Sequence, residues 1–410
     1  MTNRQIKGKL LPLAICAFAL ILRFAALWAL DEPVKSDALA YFTMADGLVK
    51  HGVLADNFGQ MAFYSPGYPL ALAGMFTVFG DTPAVARGFN LLCSLASVAL
   101  VMRVAWQVTA SRVGATLAGL AMAVWIPSVV GVETLQKENL SILLMLGFAS
   151  VLLSMIESAR PARLGLLAGL VFAAALLVGG VVLLTPLAMC VGHFVIARQN
   201  DWRIAARTGL AFSLGATAVI APWLIHVDRV IGRPLLSTNS SFNLYLGNNP
   251  AATGKFVSIA DTPLGPGWDE RRIILGEAGT SALLAQEAKG WIMAHKAEAL
   301  KLGINKLYYF WEPNLPDAAD VAANPIVAKA RWVEVAQYLL ILSFGIVAFA
   351  TNTLRSSKGL ILAVLIGSFW IVHAAAYIIV RYRDPVMPLM IVCAVTAIIA
   401  ILKRTGIVHD

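Results

Sequence analysis

Residues 36–70 read SDALAYFTMADGLVKHGVLADNFGQMAFYSPGYPL and follow the first membrane-length apolar run. The stretch opens with a carboxylate, Asp37, one helical turn before Tyr41, so both side chains are expected on the same side of a helix. It closes on Ser65-Pro66-Gly67-Tyr68-Pro69, which predicts a rigid turn against the next hydrophobic segment. A passive membrane anchor has no need of such a charged and aromatic loop. We therefore interpret it as half of an active site at a membrane surface.

The composition is that of an integral membrane protein. Of the 410 residues, 59% are hydrophobic and 13% are charged, and the mean hydropathy is +0.75, whereas soluble domains carry about 25% charged residues. The formal net charge is +9. Because the basic residues fall in short clusters between apolar runs, the charge is the positive-inside pattern of membrane proteins and predicts no nucleic-acid partner. The cysteines all lie in apolar runs, which predicts no disulfide framework.

Apolar runs long enough, or nearly long enough, to cross a bilayer predict about ten transmembrane helices in an all-α polytopic protein. They cover residues 9–30, 86–108, 113–131, 138–157, 163–178, 180–198, 206–226, 333–352, 359–380 and 385–402. Around Gly179-Gly180 we predict two short helices joined by a tight turn, with one bent helix as the alternative. The apolar stretch 67–80 is short and suits a re-entrant or interfacial segment. If it does not cross, the basic clusters share one side and both termini are cytoplasmic.

Two segments are predicted outside the membrane, a first loop at 31–85 with juxtamembrane helices and a small mixed segment at 227–332. The first loop belongs to an N-terminal module, 1–226, and the second segment separates this module from C-terminal transmembrane helices, 333–402. The second segment begins with a stretch rich in Asn, Ser and Gly, which predicts loop and short strand. Residues 281–311 then predict an amphipathic helix on the outer leaflet, in contact with membrane lipids.

Asp37 is the first candidate catalytic residue. A carboxylate at the mouth of the membrane can act as a general base that takes a proton from an acceptor hydroxyl. The alternative is a solvated loop aspartate or a helix N-cap, because Ser36-Asp37 precedes the helical pattern of residues 38–49.

Glu138 is the second candidate, in a short turn that joins the third and fourth predicted spans. A Lys137-Glu138 pair that faces water costs little, and a glutamate near a helix N-terminus is favourable in any case. If Glu138 faces a cavity of the helix bundle, its charge is expensive and points to function. Acids at 37 and 138 would flank one outer cavity and offer ligands for Mg²⁺ or Mn²⁺ or for an acceptor. The sequence leaves metal dependence open.

Arg381-Tyr382-Arg383 lies at the outer end of the ninth predicted span, against the positive-inside trend. The planar donor fork of arginine suits a phosphate. The alternative is snorkelling to lipid headgroups, with Asp384 neutralising one charge. The sequence has no Walker motif, no GxGxxG in a strand–helix context, no HExxH and no Ser-His-Asp arrangement. An enzyme of this kind therefore needs a substrate that is already activated, and a lipid-borne donor meets that need.

Five motifs in order resemble those of the polytopic GT-C glycosyltransferases, the superfamily of protein O-mannosyltransferases and lipid A aminoarabinose transferases. The resemblance covers nearly the whole chain, and no single motif is specific alone. The motifs are Asp37, Tyr41, Ala45, Gly52 and Pro66–Pro69; Ile126-Pro127 with Lys137-Glu138-Asn139-Leu140; Ala221-Pro222-Trp223; Gly232-Arg233 through Asn248-Asn249-Pro250 to Gly254; and Arg381-Tyr382-Arg383 with Pro385 and Pro388.

The resemblance implies transfer of a sugar, with inversion, from a polyprenyl-phosphate donor to a cell-envelope glycan, lipid or protein at the extracytoplasmic face of the plasma membrane. Asp37 takes the place of the catalytic base and Glu138 that of the second acid, and Arg381 and Arg383 lie near the lipid phosphate. The remaining substrate contacts implied by the motifs are Tyr41, Tyr68, Lys137, Tyr382 and Asn248.

The chain departs from the family pattern at two places. Relatives often carry Thr-Arg-Pro where this chain reads Leu177-Val178-Gly179-Gly180, so an arginine expected near the cavity is missing. The Arg-Asn that often follows Ala-Pro-Trp is replaced by His226-Val227-Asp228. Two other hypotheses are a flippase of lipid-linked sugars and a non-catalytic subunit of a surface-polysaccharide assembly. The first predicts mid-membrane charges and repeated halves, and the second predicts loss of the acids.

Overall fold

The computed structural model of the protein describes residues 3–30, 33–199, 201–316, 325–350 and 352–407. Positions 31–32 of the predicted first loop, 317–324 of the predicted second outer segment and 351 of the eighth predicted span lie outside the described residues. Helices dominate, and these ranges contain no β-strand, so the predicted all-α class is confirmed.

The helices are numbered in chain order. They are α1 (Asn3–Ala29), α2 (Asp37–His51), α3 (Gly67–Phe79), α4 (Pro83–Thr109), α5 (Arg112–Val124), α6 (Ile126–Val130), α7 (Glu138–Met155), α8 (Pro161–Val178), α9 (Leu187–Gln199), α10 (Trp202–Ile231), α11 (Asn239–Gly247), α12 (Trp268–Ala294), α13 (Lys296–Phe310), α14 (Pro325–Ala350), α15 (Ser357–Val372) and α16 (Met387–Arg404). Short 3₁₀ turns cover Gly180–Val182, Ile259–Asp261, Asn352–Arg355 and Val380–Val386.

Eight segments of the described chain are long and apolar enough to cross a membrane. They are Leu10–Ala29, Pro83–Thr109, Glu138–Met155, Pro161–Val178, Gly180–Arg198, Trp202–Ile231, Ala328–Ala350 and Val380–Arg404. The other two predicted spans form shorter apolar helices, α5 with 13 residues and α15 with 16. Helix α5 stops early because the chain turns at Trp125 and restarts as α6, with Pro127 in the first turn of α6. The 13-residue helix α3 is also shorter than the roughly 20 residues that a crossing needs.

The pair of glycines at 179–180 separates two helices, as predicted. Helix α8 ends at Val178, a 3₁₀ turn covers Gly180–Val182, and α9 begins at Leu187. The end of α8 is also where the Ser65–Pro69 turn packs. A Cβ at Gly67 would lie 2.7 Å from the backbone of Leu177 and Val178, so only glycine allows this approach.

Arg23 is fully buried in α1 and ties the N-terminal helices together. Its guanidinium donates to the Ser94 hydroxyl of α4 at 2.7 Å and to the Ser128 hydroxyl of α6 at 2.9 Å. It also donates to carbonyl oxygens of Ala19, Met122 and Ala123. A charge inside a membrane helix is costly unless it is fully hydrogen-bonded. Every nitrogen of this guanidinium has a partner, which gives Arg23 a structural role.

Helices α8 and α10 pack closely because glycines face the neighbouring backbone. Gly165 and Gly169 lie one turn apart on α8, and a Cβ at Gly165 would lie 2.6 Å from the carbonyl oxygen of Thr208 on α10. A Cβ at Gly169 would overlap the carbonyl oxygen of Phe212. From the other side, Gly215 of α10 faces the backbone of Leu166. Small residues at this spacing let membrane helices approach closely.

The second outer segment differs from the prediction at its beginning. The predicted short strand does not form; residues 239–247 are helix α11, and the described ranges contain only an isolated bridge between Lys255 and Ile378. The amide of Thr238 instead donates to the carbonyl oxygen of Ala62 at 2.8 Å, and that of Asn239 to Phe63 at 3.3 Å. The polar residues before α11 thus find their backbone partners in the first outer loop.

The predicted amphipathic helix at 281–311 is two helices with different surroundings. Helix α12 ends at Ala294, and His295 has non-helical dihedral angles before α13 begins. Leu284 and Ala288 of α12 are buried in the protein, whereas Leu300 and Ile304 of α13 are 68% and 59% exposed. Leu300 and Ile304 are therefore available to lipid, whereas Leu302 and Phe310 of the same helix are buried. The location of α13 on the outer leaflet stays a prediction.

Gly169→Ala should lower the thermal stability of the purified protein in detergent. The added methyl group collides with the α10 backbone, which cannot yield as a flexible side chain does, and we expect a cost of about 1–3 kcal/mol. Gly88→Ala in α4 is the matched control, because a Cβ there meets no atom within 4 Å. Equal melting temperatures for the two variants would contradict the close α8–α10 packing.

Candidate active site

Asp37 is the first residue of α2, but its carboxylate does not cap the helix. The preceding residue, Ser36, has φ 53°, which turns the chain sharply into α2. Asp37 Oδ1 accepts a hydrogen bond from the Tyr64 hydroxyl at 3.1 Å, and Oδ2 accepts one from Arg381 Nη2 at 2.5 Å. The N-cap alternative therefore does not apply. Asp37 connects the first loop to the beginning of the last long helical segment.

Arg381 brings the two predicted acids together. Its Nη2 binds Asp37, and its Nε lies 3.5 Å from Glu138 Oε1. A separation of 3.5 Å is too long for a strong hydrogen bond, and both Arg381 Nε and Glu138 Oε2 are buried without a hydrogen-bond partner. Buried polar groups are usually satisfied in native proteins. The two unsatisfied atoms, Arg381 Nε and Glu138 Oε2, indicate a place where a polar ligand is expected.

Two cavities meet at these residues. The first has a volume of about 500 Å³ and a mixed polar and aromatic lining, and the second, of about 320 Å³, has a mainly apolar lining. Six residues line both: Lys137, Glu138, Asn239, Asn243, Arg381 and Tyr382. We call this set, together with Asp37, which binds Arg381, the junction. Asp37 and Tyr41 lie only on the first cavity, and glycines 179 and 180 and His373 lie only on the second.

The side chain of Lys137 lies where a side chain at position 179 would extend. Its Nζ lies 3.6 Å from the position of a Cβ on Gly179. Burial lowers the pKa of Lys137, and the nearby Arg381 charge adds to this, while Glu138 opposes it. Gly179 stands where relatives often carry an arginine. This chain places a different cation next to that position, Lys137 from the turn before α7.

Tyr41 lines the first cavity, and Tyr68 supports it from behind. The two rings contact edge to face at 5.3 Å between centroids, and Tyr41 contacts Tyr64 in the same way at 5.2 Å. Tyr68 is fully buried, and its hydroxyl donates to Asn90 Oδ1 at 3.0 Å. Burial, and then the charge of Asp37, raises the pKa of Tyr41. Tyr41 is therefore a neutral wall of the cavity, and Tyr68 lines neither cavity.

Arg383 and Asn248 lie away from the junction and line neither cavity. The Arg383 guanidinium donates to the Glu312 carbonyl oxygen, and its centre lies 3.9 Å from the Tyr338 ring centroid. Asn248 donates to the Ala375 carbonyl oxygen at 2.7 Å and accepts from Lys306 Nζ at 3.0 Å. Both residues make contacts that hold the second outer segment or α14 against the residues between α15 and α16.

Glu277 holds the outer side of the first cavity and was not among the predicted residues. Its carboxylate accepts from the amides of Met61 and Ala62 at 2.8 and 2.9 Å and from the Thr238 hydroxyl at 2.9 Å. It is aimed there by Gly276, whose φ of 64° kinks α12. A single carboxylate thus joins the first loop, the start of α11 and the middle of α12. Glu277 precedes the stretch 281–311 that is predicted to be helical, and no sequence pattern indicates its role.

Two further residues on this outer side are buried with an unpaired oxygen. Asp56 Oδ1 accepts from the amides of Phe58 and Gln60, but Oδ2 has no partner. Thr280 Oγ1 is also without a hydrogen-bond partner. Both line the first cavity and are 4% and 5% exposed. Burial raises the pKa of Asp56, against the opposing effect of its two amide donors.

The acids of the junction converge on a guanidinium. Asp37 and Glu138 both face Arg381, and within the described parts of the chain no group of three His, Cys, Asp or Glu residues is arranged to hold a metal ion. Mg²⁺ is usually held by one or two carboxylates together with substrate phosphates, so Asp37 and Glu138 are the side chains that would hold such an ion. We derive the chemistry of the site from its side chains.

Comparison with known proteins gives the same architecture. An archaeal oligosaccharyltransferase, AglB from Archaeoglobus fulgidus in complex with an inhibitory peptide and a dolichol-phosphate, aligns over 99% of this chain with TM-score 0.61 and 12% identity. Residues 64–226 match the family model of dolichyl-phosphate-mannose-protein mannosyltransferases. The chain has the GT-C glycosyltransferase fold. The resemblance inferred from the sequence motifs is thereby confirmed.

Two other matches complete the comparison. The same archaeal enzyme in complex with Zn and sulfate aligns over 97% of this chain with TM-score 0.56 and 13% identity. ArnT from Cupriavidus metallidurans bound to undecaprenyl phosphate aligns over 96% of this chain and 79% of its own, with TM-score 0.49 and 16% identity. The chain spans 52% and 50% of the length of the two archaeal structures. None of the curated proteins matches the sequence.

Glu277→Gln should loosen the first outer loop. An amide side chain presents only one acceptor oxygen, so at least one backbone amide of residues 61–62 loses its partner, at a cost of about 1–3 kcal/mol. We expect faster proteolysis within residues 52–66 in the purified variant. Glu287→Gln, at an exposed position of the same helix, is the control. Identical cleavage rates for the two variants would show that Glu277 does not hold this loop.

Proposed function

We propose that the protein transfers a sugar from a polyprenyl-phosphate carrier to an acceptor hydroxyl at the membrane surface. The observation that supports this most directly is the junction, where a polar cavity and an apolar cavity meet between two acids and two cations. An activated lipid donor needs an apolar channel, a cationic site for its phosphate and a base on the acceptor side. The two cavities provide these in adjacent places.

The second cavity is the proposed donor site. Apolar side chains and glycine backbone supply most of its lining, which suits a polyprenyl chain, and Lys137 and Arg381 lie where it joins the first cavity. Arginine and lysine are the usual partners of a phosphate. The archaeal enzyme of the same fold is described with a dolichol-phosphate. The Lys137 ammonium, next to Gly179, takes the place of the arginine that the family pattern leads one to expect.

The proposed reaction is a single displacement with inversion. The oxygen of the acceptor hydroxyl forms a bond to the anomeric carbon while the bond from that carbon to the phosphate oxygen breaks. The electron pair of the broken bond stays on the phosphate, and the proton of the hydroxyl passes to Asp37 as general base. Lys137 and Arg381 stabilise the charge that develops on the leaving phosphate.

The remaining acid and the tyrosines position these groups. Asp37 retains free acceptor positions after binding Tyr64 and Arg381, because a carboxylate has about four lone-pair sites. Glu138 keeps Arg381 between the two cavities through their electrostatic attraction. In the proposed orientation the junction lies at the extracytoplasmic face of the plasma membrane, and both termini are cytoplasmic.

Asp37→Asn should abolish transfer. An amide keeps the shape of the side chain but cannot take the proton, and loss of a general base costs about 10²–10⁴-fold in rate. The measurement is transfer of radiolabel from a panel of synthetic polyprenyl-phosphate hexoses and pentoses into cell-envelope material. Asp46→Asn is the control, because Asp46 pairs with Lys50 and lines neither cavity. Wild-type turnover of Asp37→Asn would exclude its role as base.

Lys137→Met and Arg381→Gln should each weaken donor binding. Each removes one charge-assisted contact to the phosphate, worth about 1.5–3 kcal/mol, and the expected loss of affinity for a polyprenyl phosphate is about 10- to 100-fold. Affinity is measured by displacement of a labelled short-chain polyprenyl phosphate from the purified protein. Lys301→Met, at an exposed position of α13, is the control. Unchanged affinity in both variants would place the phosphate elsewhere.

A further inference from the structure

An unbroken row of aromatic rings follows one side of the first cavity. It runs from Tyr41 to Tyr64, Phe63, Phe242 and Trp268, with centroid separations of 5.2, 5.0, 5.6 and 6.2 Å, and all five residues line the cavity. The row begins at Tyr41, one turn after Asp37 in α2, and ends at Trp268, the first residue of α12. The proposed reaction uses only its first members.

Asp56 and Thr280, the two residues with a buried, unpaired oxygen, line the same cavity. Asp56 Oδ2 can only accept a hydrogen bond while the carboxylate is ionised, whereas Thr280 Oγ1 can donate one and accept two. A buried polar atom without a partner costs about 1–3 kcal/mol. Two such atoms in residues that line one cavity indicate a ligand that carries both donors and acceptors. The rings that line the same cavity favour a ligand that also has apolar faces.

We propose that this aromatic row is an extended acceptor site for a carbohydrate chain, so that the acceptor of the proposed transferase is a glycan. This inference rests on the proposed function and specifies its acceptor. A pyranose or furanose ring has an apolar C–H face for Phe242 or Trp268 and a rim of hydroxyls for Asp56 and Thr280. The terminal sugar of the chain then lies beside Asp37, with its hydroxyl available for deprotonation.

The surroundings of the cavity favour a glycan over a peptide. Extended peptides are commonly bound as an added strand on a sheet edge, which supplies a regular row of backbone donors and acceptors. The parts of the chain that the structure describes contain no sheet, and their isolated bridge joins Lys255 to Ile378. The backbone amides of residues 61–62 already donate their hydrogen bonds to the carboxylate of Glu277. The row therefore offers rings and side-chain oxygens, which are the contacts that sugars use.

Binding of defined probes tests this proposal without any transfer reaction. The purified full chain in detergent is mixed with neutral gluco-, manno-, galacto- and arabino-oligosaccharides and with serine- and threonine-containing decapeptides, and saturation-transfer NMR reports the bound species. We expect at least one oligosaccharide series to bind. Trp268→Ala and Thr280→Val should each weaken that binding about tenfold, because each removes one ring contact or one hydrogen bond.

Matched controls separate this site from the rest of the molecule. Trp202→Ala and Thr253→Val change exposed residues outside the cavity and should leave oligosaccharide affinity unchanged. Peptide binding that is sensitive to Trp268→Ala, no binding of any oligosaccharide, or equal affinity in all four variants would each overturn the proposal.

The acceptor proposal and the transferase proposal can fail separately. Asp37→Asn tests the base and is read in the transfer assay, whereas Trp268→Ala and Thr280→Val test the acceptor site and are read in the binding assay. In the transfer assay, Thr280→Val should raise KM for the acceptor about tenfold and leave kcat within about twofold. A glycan that binds the row while Asp37→Asn transfers normally would contradict the proposed base and leave the acceptor site standing.

Discussion

The contact between Arg381 and Asp37 is the link on which the rest of the site depends. It joins residues 344 positions apart, one at the start of α2 and the other ahead of α16. It joins the start of α2 to the last long helical segment and closes the inner end of the polar cavity. Because the same guanidinium also faces Glu138, one side chain sets the positions of both acids. The geometry of three chain segments therefore depends on a single cation.

Backbone contacts make that arrangement rigid from the outside. Gly67 brings the first loop against the end of α8, where any larger residue would collide with Leu177 and Val178. Glu277 then fixes the distal part of the loop through two amides and the Thr238 hydroxyl. The loop is thus held at its turn, at its middle and at Asp37. A site built on a loop reaches the precision that catalysis requires only when the loop is held in this way.

The sequence predicts the fold class and the inner end of the site well, and the outer end poorly, for physical reasons. Asp37, Tyr41, Glu138 and Arg381 interrupt apolar runs at the membrane boundary, where a charge is conspicuous, and they do converge. Arg383 satisfies the same pattern, yet its guanidinium packs on the ring of Tyr338. A sequence pattern does not show in which direction neighbouring side chains point. Glu277 lies before the predicted amphipathic stretch 281–311, and its role follows from the kink at Gly276, which the sequence does not show. Arg23 is hidden in the same way, since its partners are serine hydroxyls and backbone carbonyls that carry no charge signal.

The charge at the junction gives a reason for its composition. Asp37 and Glu138 contribute two negative charges and Lys137 and Arg381 two positive ones, so the four side chains sum to zero. In the proposed reaction the donor phosphodiester carries one negative charge and the leaving lipid phosphate carries two, while Asp37 becomes neutral as it takes the proton. The total charge is therefore conserved within the junction throughout the displacement. What changes is its position: as the carboxylate of Asp37 loses its charge, Arg381 exchanges that partner for the phosphate, and no charge has to enter the membrane from water.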